Sequence, residues 1–130
     1  MNSPAREVNV LPRLNRVLLY VADVDAIVAF YTTYFELVAH RDEGDRIVEL
    51  VDPAGGTRLM VHKAGKAQKT GQSTVKLVFD VEDVEAFRDI CAGKGLDFGP
   101  IHKADGYIFC NARDPAGNPI SISGRAFRDK

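Results

Sequence analysis

The chain has 130 residues, 45% hydrophobic and 27% charged, with a formal net charge of -1. That length and composition suit one compact unit with its own core. Near-neutral charge gives no general attraction to nucleic acid or an anionic membrane, and no apolar run approaches the roughly 18 residues of a membrane-spanning helix.

Residues 1–7 lack the basic start and apolar stretch of an export signal, so the cytoplasm is the expected location. The run RVLLYV, from Arg16 to Val21, is apolar and bounded by turn-prone sequence, and reads as a strand. Asp23 is placed to cap a helix by accepting from first-turn N–H groups. That helix is expected to reach about residue 37, with Ile27, Phe30, Tyr31, Tyr34 and Phe35 on one apolar face. Three short strands follow at about 38–41, 46–51 and 57–63, with turns at Gly44 and at Asp52-Pro53-Ala54-Gly55-Gly56. The segment GKAQKTGQ, at 65–72, is polar and glycine-bearing and reads as a linker whose lysines form a solvated tether.

Beyond the linker the plan recurs. A strand is expected at 75–79 and a helix capped by Asp80, with an apolar stripe of Val81, Val84, Phe87, Ile90 and Cys91 and with Gly93 and Gly95 as candidate C-caps. Strands are expected near 98–103, 107–112 and 119–123, with turns at Asp105-Gly106 and at 114–118. Two motifs repeat in order. Asp23-Val24-Asp25 and the residues after it return from Asp80, 57 positions on, and Asp52-Pro53-Ala54-Gly55 returns as Asp114-Pro115-Ala116-Gly117, 62 positions on. A period near 60 in such a chain means two copies of one module. Module one spans about 14–64, the linker 65–72 and module two 73–124, within a single domain of residues 1–130. Cys91 and Cys110 each lie in an apolar stretch and read as reduced core thiols. No spacing of a zinc motif is present.

The motifs VADVDAIVAFY, VFDVEDVEAF and ARDPAGNPISI, in a chain of two β-α-β-β-β modules, resemble the vicinal oxygen chelate superfamily. That group includes glyoxalase I, extradiol dioxygenases, and fosfomycin-resistance and bleomycin-binding proteins. The resemblance covers about residues 14–123. It implies an α+β fold in which two tandem βαβββ modules form a cup-shaped cavity from curved mixed sheets, with the helices outside. It also implies a homodimer, with modules paired within a chain or exchanged between chains. Metal-dependent members carry a His, Gln or Glu ligand on the first and last strand of each module. Counting from the aspartates and hairpins, the equivalent positions are Arg16, Met60, Thr74 and Ser121. An arginine has no lone pair to donate, a thioether is a poor ligand for hard divalent ions, and neutral hydroxyls are weak ones. The expectation is a site with no metal and no cofactor.

Strand alternation lists what faces the cup. Arg16 brings Leu18 and Tyr20, Met60 brings Arg58 and His62, Thr74 brings Lys76, and Ser121 brings Ser123. In the seventh strand Tyr107, Phe109 and Asn111 are favoured over Ile108, Cys110 and Ala112. Glu49 either faces the cup, neutralising Arg16 or His62, or is an exposed edge carboxylate. The candidate binding residues are Arg16, Tyr20, Met60, His62, Thr74, Lys76, Phe109 and Ser121. They offer several donors, few acceptors and an aromatic wall, which suits a small anionic or aromatic molecule. The first expectation is a metal-free binder. The alternative is a metal-free lyase or isomerase acting next to a carbonyl, with His62 or Glu49 as proton shuttle. A metal-dependent lyase or dioxygenase ranks below both.

Overall fold

The computed structural model describes residues 12–129, so the residues read for an export signal lie outside the described residues. The first module comprises β1 (Arg16–Val21), α1 (Val24–Phe35), β2 (Val38–His40), β3 (Val48–Val51) and β4 (Arg58–Lys63). The second comprises β5 (Leu77–Asp80), α2 (Val84–Gly93), β6 (His102–Lys103), β7 (Ile108–Arg113) and β8 (Pro119–Ser123), followed by a 3₁₀ turn at Arg125–Phe127. Each module builds one four-stranded mixed sheet, ordered β1-β4-β3-β2 and β5-β8-β7-β6. In both, the first strand runs parallel to the last and the remaining pairs are antiparallel. The expected α+β architecture of paired βαβββ modules is present. Among the described residues β1 and β5 each leave one sheet edge open, because no ladder there joins the two sheets.

Several boundaries differ from the sequence expectation, each for a local reason. α1 stops at Phe35, where Glu36 turns left-handed (φ 56°). The cap of α2 is Asp83, not Asp80: Asp83 accepts from the Ala86 N–H at 3.0 Å, while Asp80 ends β5 opposite Ser123. Asp23 caps α1 in the same way, accepting from Ala26 N–H at 3.1 Å. The true offset between the helices is therefore 60 residues, not 57. Starting α2 at Val84 turns Val84 and Cys91 into the core and leaves Ile90 54% exposed. β5 begins at Leu77, two residues later than expected. Its partner strand opens with Pro119, which has no N–H to give, and the Asn118 N–H is held by Asp114 Oδ1 at 2.9 Å. Pro100, without an N–H, follows the single Gly99 N–H bond to Asn111 O, and β6 is left with two residues.

Alternation sorts each strand into a helix-side face and an open face. Val21, Val48, Leu50, Leu59 and Val61 from the first sheet and Cys110, Ile120 and Ile122 from the second are buried in one core. Burying an aliphatic or aromatic side chain of this size contributes about 1.5–3 kcal/mol each. α1 ties the modules together. Tyr31 Oη donates to Asp114 Oδ2 at 2.7 Å, Phe35 stacks on Phe79 with ring centroids 3.9 Å apart, and Tyr34 Oη donates to Lys94 O at 3.0 Å. The linker is more than a tether. Gly71, at φ +75°, passes so close to the second hairpin that a Cβ there would lie 2.8 Å from Ala116 O.

Candidate functional site: two open sheet faces

The helices and the shared core occupy one side of each sheet, so the opposite faces carry the side chains available to a ligand. On the first sheet the parallel register sets Arg16 beside Arg58, Leu18 beside Met60 and Tyr20 beside His62. Glu49 of β3 stands opposite Met60 and faces the same way. Its Oε1 lies 3.5 Å from Arg16 Nε and 3.4 Å from Arg58 Nη1. The Glu49 side chain is 28% exposed, against 48% for Arg16 and 44% for Arg58. Of the two readings of Glu49, the structure selects the one that faces the arginines. The Tyr20 and His62 ring centroids are 5.6 Å apart. His62 Nδ1 lies 2.8 Å from Lys63 O, so in the neutral ring this nitrogen is the donor and Nε2 keeps the lone pair.

On the second sheet Val78, Ser121 and Asn111 are in register, and so are Asp80, Ser123 and Phe109. Lys76 Nζ donates to Asn111 Oδ1 at 2.9 Å and lies 5.6 Å from the Phe109 ring centroid. Phe109 continues toward His102, with centroids 5.1 Å apart. Phe109 and Asn111 therefore share the open face while Cys110 enters the core. Ser121 is on the open side yet 2% exposed, beneath its neighbours.

The structure gathers Arg16, Tyr20, Glu49, Met60 and His62 on one face and Lys76, Phe109 and Ser121 on the other. Thr74 joins neither, since it lies in an exposed irregular segment before β5. With the offset of 60, the second-module counterpart of Arg16 is Lys76. The four positions that the resemblance equates with metal ligands thus become, on this offset, Arg16, Met60, Lys76 and Ser121. Two cations, a thioether and a buried hydroxyl do not fit a divalent ion. Among the described residues, moreover, no group of three His, Cys, Asp or Glu side chains could hold one. Asn111 was visible in the alternation of β7, but its bond to Lys76 follows from the later start of β5.

Three clefts border these faces. One of 390 Å³ is lined by Asn15, Arg16, Gly56, Thr57 and Arg58. Another of 410 Å³ is lined by Lys76, Asn111, Ala112, Arg113 and Pro119. The third, of 660 Å³, runs between the modules past Val17, Phe35, Leu59, Leu77, Phe79 and Phe87. None of the three joins Arg16, Met60 or His62 to Phe109 or Ser121. The cysteines take no part in either face. Both are buried, and burial raises the pKa of each thiol, which keeps it protonated.

A family model described as the Glyoxalase/Bleomycin resistance protein/Dioxygenase superfamily matches residues 13–122. A comparison with curated protein sequences returns no match. Among solved structures, TnmS3, an antibiotic binding protein from a Streptomyces species, aligns with a TM-score of 0.74 at 16% identity, covering 87% of this chain and 95% of that one. A lactoylglutathione lyase from Agrobacterium tumefaciens aligns at 0.67 and 19% identity, covering 88% and 94%. A superfamily member from Sphaerobacter thermophilus aligns at 0.71 and 17% identity, covering 87% and 97%. At these identities the likeness is one of fold. Among the described residues no helix is long and apolar enough to cross a membrane.

Proposed function

Because the chain belongs to the glyoxalase/bleomycin resistance protein/dioxygenase superfamily, we propose that it binds a small anionic or aromatic molecule without a metal ion, in a cavity built by two copies. The observation that carries this reading is the content of the four positions, Arg16, Met60, Lys76 and Ser121. They are donors and apolar surface rather than metal ligands. Tyr20, His62 and Phe109 add aromatic wall beside them. The similar fold of TnmS3, described as an antibiotic binding protein, agrees with a binding role.

The second copy is argued from the open edges and faces. Leu14, Tyr20, Val75 and Val78 lie on or beside β1 and β5 and are 84%, 44%, 65% and 56% exposed. Setting the first sheet of one protomer against the second sheet of another covers that apolar surface and encloses both polar faces. A homodimer follows. The test is thermal denaturation of chelator-treated protein against a panel of aromatic acids and antibiotics, with mass determined in solution. A binder gains stability as ligand concentration rises above Kd, and Arg16→Ala removes that gain for anionic ligands. A bound stoichiometric transition metal, or no stabilisation by any compound, would overturn the reading.

One observation favours a second reading, a metal-free lyase or isomerase. The Lys63 carbonyl fixes the His62 Nδ1 proton, which leaves Nε2 as a base on the open face. Glu49 is the other candidate, with both guanidinium groups within 3.5 Å of its Oε1. Turnover of a bound ligand that disappears in His62→Ala would support catalysis.

A further inference from the structure

Two guanidinium groups on the first sheet share a single carboxylate oxygen. Arg16 and Arg58 are direct partners in the parallel β1–β4 ladder, and the Arg58 N–H bond to Asn15 O at 2.8 Å holds that register. Both reach Glu49 Oε1, through Nε and Nη1, at 3.5 and 3.4 Å. Charge-assisted N–H···O bonds are normally about 2.7–2.9 Å, so Glu49 is held loosely. The remaining guanidinium N–H groups of both arginines have no partner among the described residues. Two positive charges face one negative charge, which leaves the cluster with room for one more anion.

We propose that Arg16 and Arg58 form a clamp for a ligand carboxylate, with Glu49 as an internal carboxylate that occupies the clamp in the free protein and competes with the ligand. This rests on the binding function proposed above and adds to it a place, a chemical class and a second arginine. The planar forks suit a planar two-oxygen acceptor, and the unbalanced single charge suits a monoanion. The adjoining 390 Å³ cleft, with Asn15 and Thr57 on its wall, is within the size range of small-ligand pockets. Beyond the clamp β1 and β4 present apolar side chains, with Glu49 beside them on β3. Leu18 and Met60 come next, and the Tyr20–His62 pair follows about 13 Å along β1 at roughly 3.3 Å per residue. The ligand class is therefore a monocarboxylic acid with an apolar or aromatic body, its carboxylate on the arginines and its body over Leu18 and Met60.

The probes are 2-naphthoate, the isosteric neutral 2-naphthamide, and inorganic phosphate, followed by calorimetry and by the arginine Nε–H resonances of the intact protein. Naphthoate should move the Arg16 and Arg58 signals and bind more tightly than naphthamide. Arg58→Ala should weaken naphthoate about tenfold or more, the loss of a charge-assisted contact. Arg58→Lys, which keeps the charge but not the fork, should fall between the two. Glu49→Gln should tighten naphthoate severalfold and leave naphthamide unchanged. Thermal denaturation confirms that each variant is folded.

Equal affinity for naphthoate and naphthamide, with both arginine signals unmoved, would refute the clamp while leaving a ligand cavity standing. Tighter binding of phosphate than of naphthoate would overturn the carboxylate assignment, and weaker naphthoate binding in Glu49→Gln would overturn the competition. Naphthoate bound at the arginines of a protein that stays monomeric would uphold the clamp and sink the shared cavity. No naphthoate binding up to its solubility would refute the clamp.

Discussion

Replacing Tyr31 by phenylalanine deletes one hydroxyl from the contact that ties the first module's helix to the second module's hairpin. Tyr31 is 0% exposed, Asp114 is 4% exposed, and the bond between them is 2.7 Å long. A hydrogen bond to a charged group contributes about 1.5–3 kcal/mol. The lower part of that range applies. Asp114 still accepts from Ala116 N–H, Asn118 N–H and Asn118 Nδ2–H, at 2.9, 2.9 and 3.0 Å, so no carboxylate is stranded. Phenylalanine also keeps the ring contacts with Phe30 and Phe79. A loss of about 2 kcal/mol corresponds to a fall in Tm of roughly 6–10 °C for a chain of this size. Burial first, then the Asp114 charge and the hydrogen bond to it, push the Tyr31 phenol well above its usual range. A group raised in the folded state stabilises fully below its unfolded pKa of about 10, and that stability declines as pH rises beyond it, by up to about 1.4 kcal/mol per pH unit. Denaturant titrations of wild type and Tyr31→Phe between pH 8 and 11 measure both effects. The wild-type advantage should be constant to about pH 10 and shrink above it. A Tm change under about 1 °C, or an advantage that grows with alkalinity, would refute the reasoning.

The helix caps give a second test. Asp83→Ala should cost about 0.5–2 kcal/mol, the usual loss of an N-cap, while Asp80→Ala, at an exposed position that caps nothing, should stay within about 0.5 kcal/mol. Chemical denaturation of the pair decides it, and the reverse order would return the cap to Asp80. The thiols of Cys91 and Cys110 are buried, and burial raises the pKa of both, so a thiol-specific disulfide reagent at pH 8 should label neither in the folded protein and both after denaturation. Rapid labelling of the native chain would contradict the burial.

The modules, their order and nearly every turn were legible because they rest on local chemistry. Asp23 as a cap, the Asp52 and Asp114 hairpins, and the alternation of RVLLYV each follow from a few adjacent residues. The faces of most strands were legible for the same reason, since a period of two fixes every side chain once one is placed. What local sequence could not supply was the pairing between distant strands. Pro119 decides where β5 starts although 42 residues separate it from Leu77. Likewise the Arg16–Arg58 juxtaposition exists only in the β1–β4 register.

One misplaced aspartate shows how such an error travels into chemistry. Asp80-Val81-Glu82-Asp83-Val84-Glu85 offers two aspartates, each followed by valine and an acidic residue, and the string alone favours the first because the run from Asp23 to Phe30 matches four letters from Asp80 and three from Asp83. The fold uses the second, because Asp80 is still in register with Ser123, whose carbonyl accepts the Val81 N–H at 2.9 Å, so the strand runs past the first aspartate. Six residues before Asp80 lies Thr74 and seven before it Ser73, both neutral hydroxyls in irregular chain. Counting back seven from Asp83, the distance from Asp23 to Arg16, lands on Lys76. The corrected register replaces a weak ligand by a second cation at the positions that matter, and it does so at a residue anchored by Asn111 and Phe109. The case against a divalent ion and the case for an anionic ligand therefore rise together, since both follow from the same two side chains. Arg16 and Lys76 lie on different sheets whose open faces turn away from the shared core. For both to meet one ligand, the second sheet has to come from another protomer.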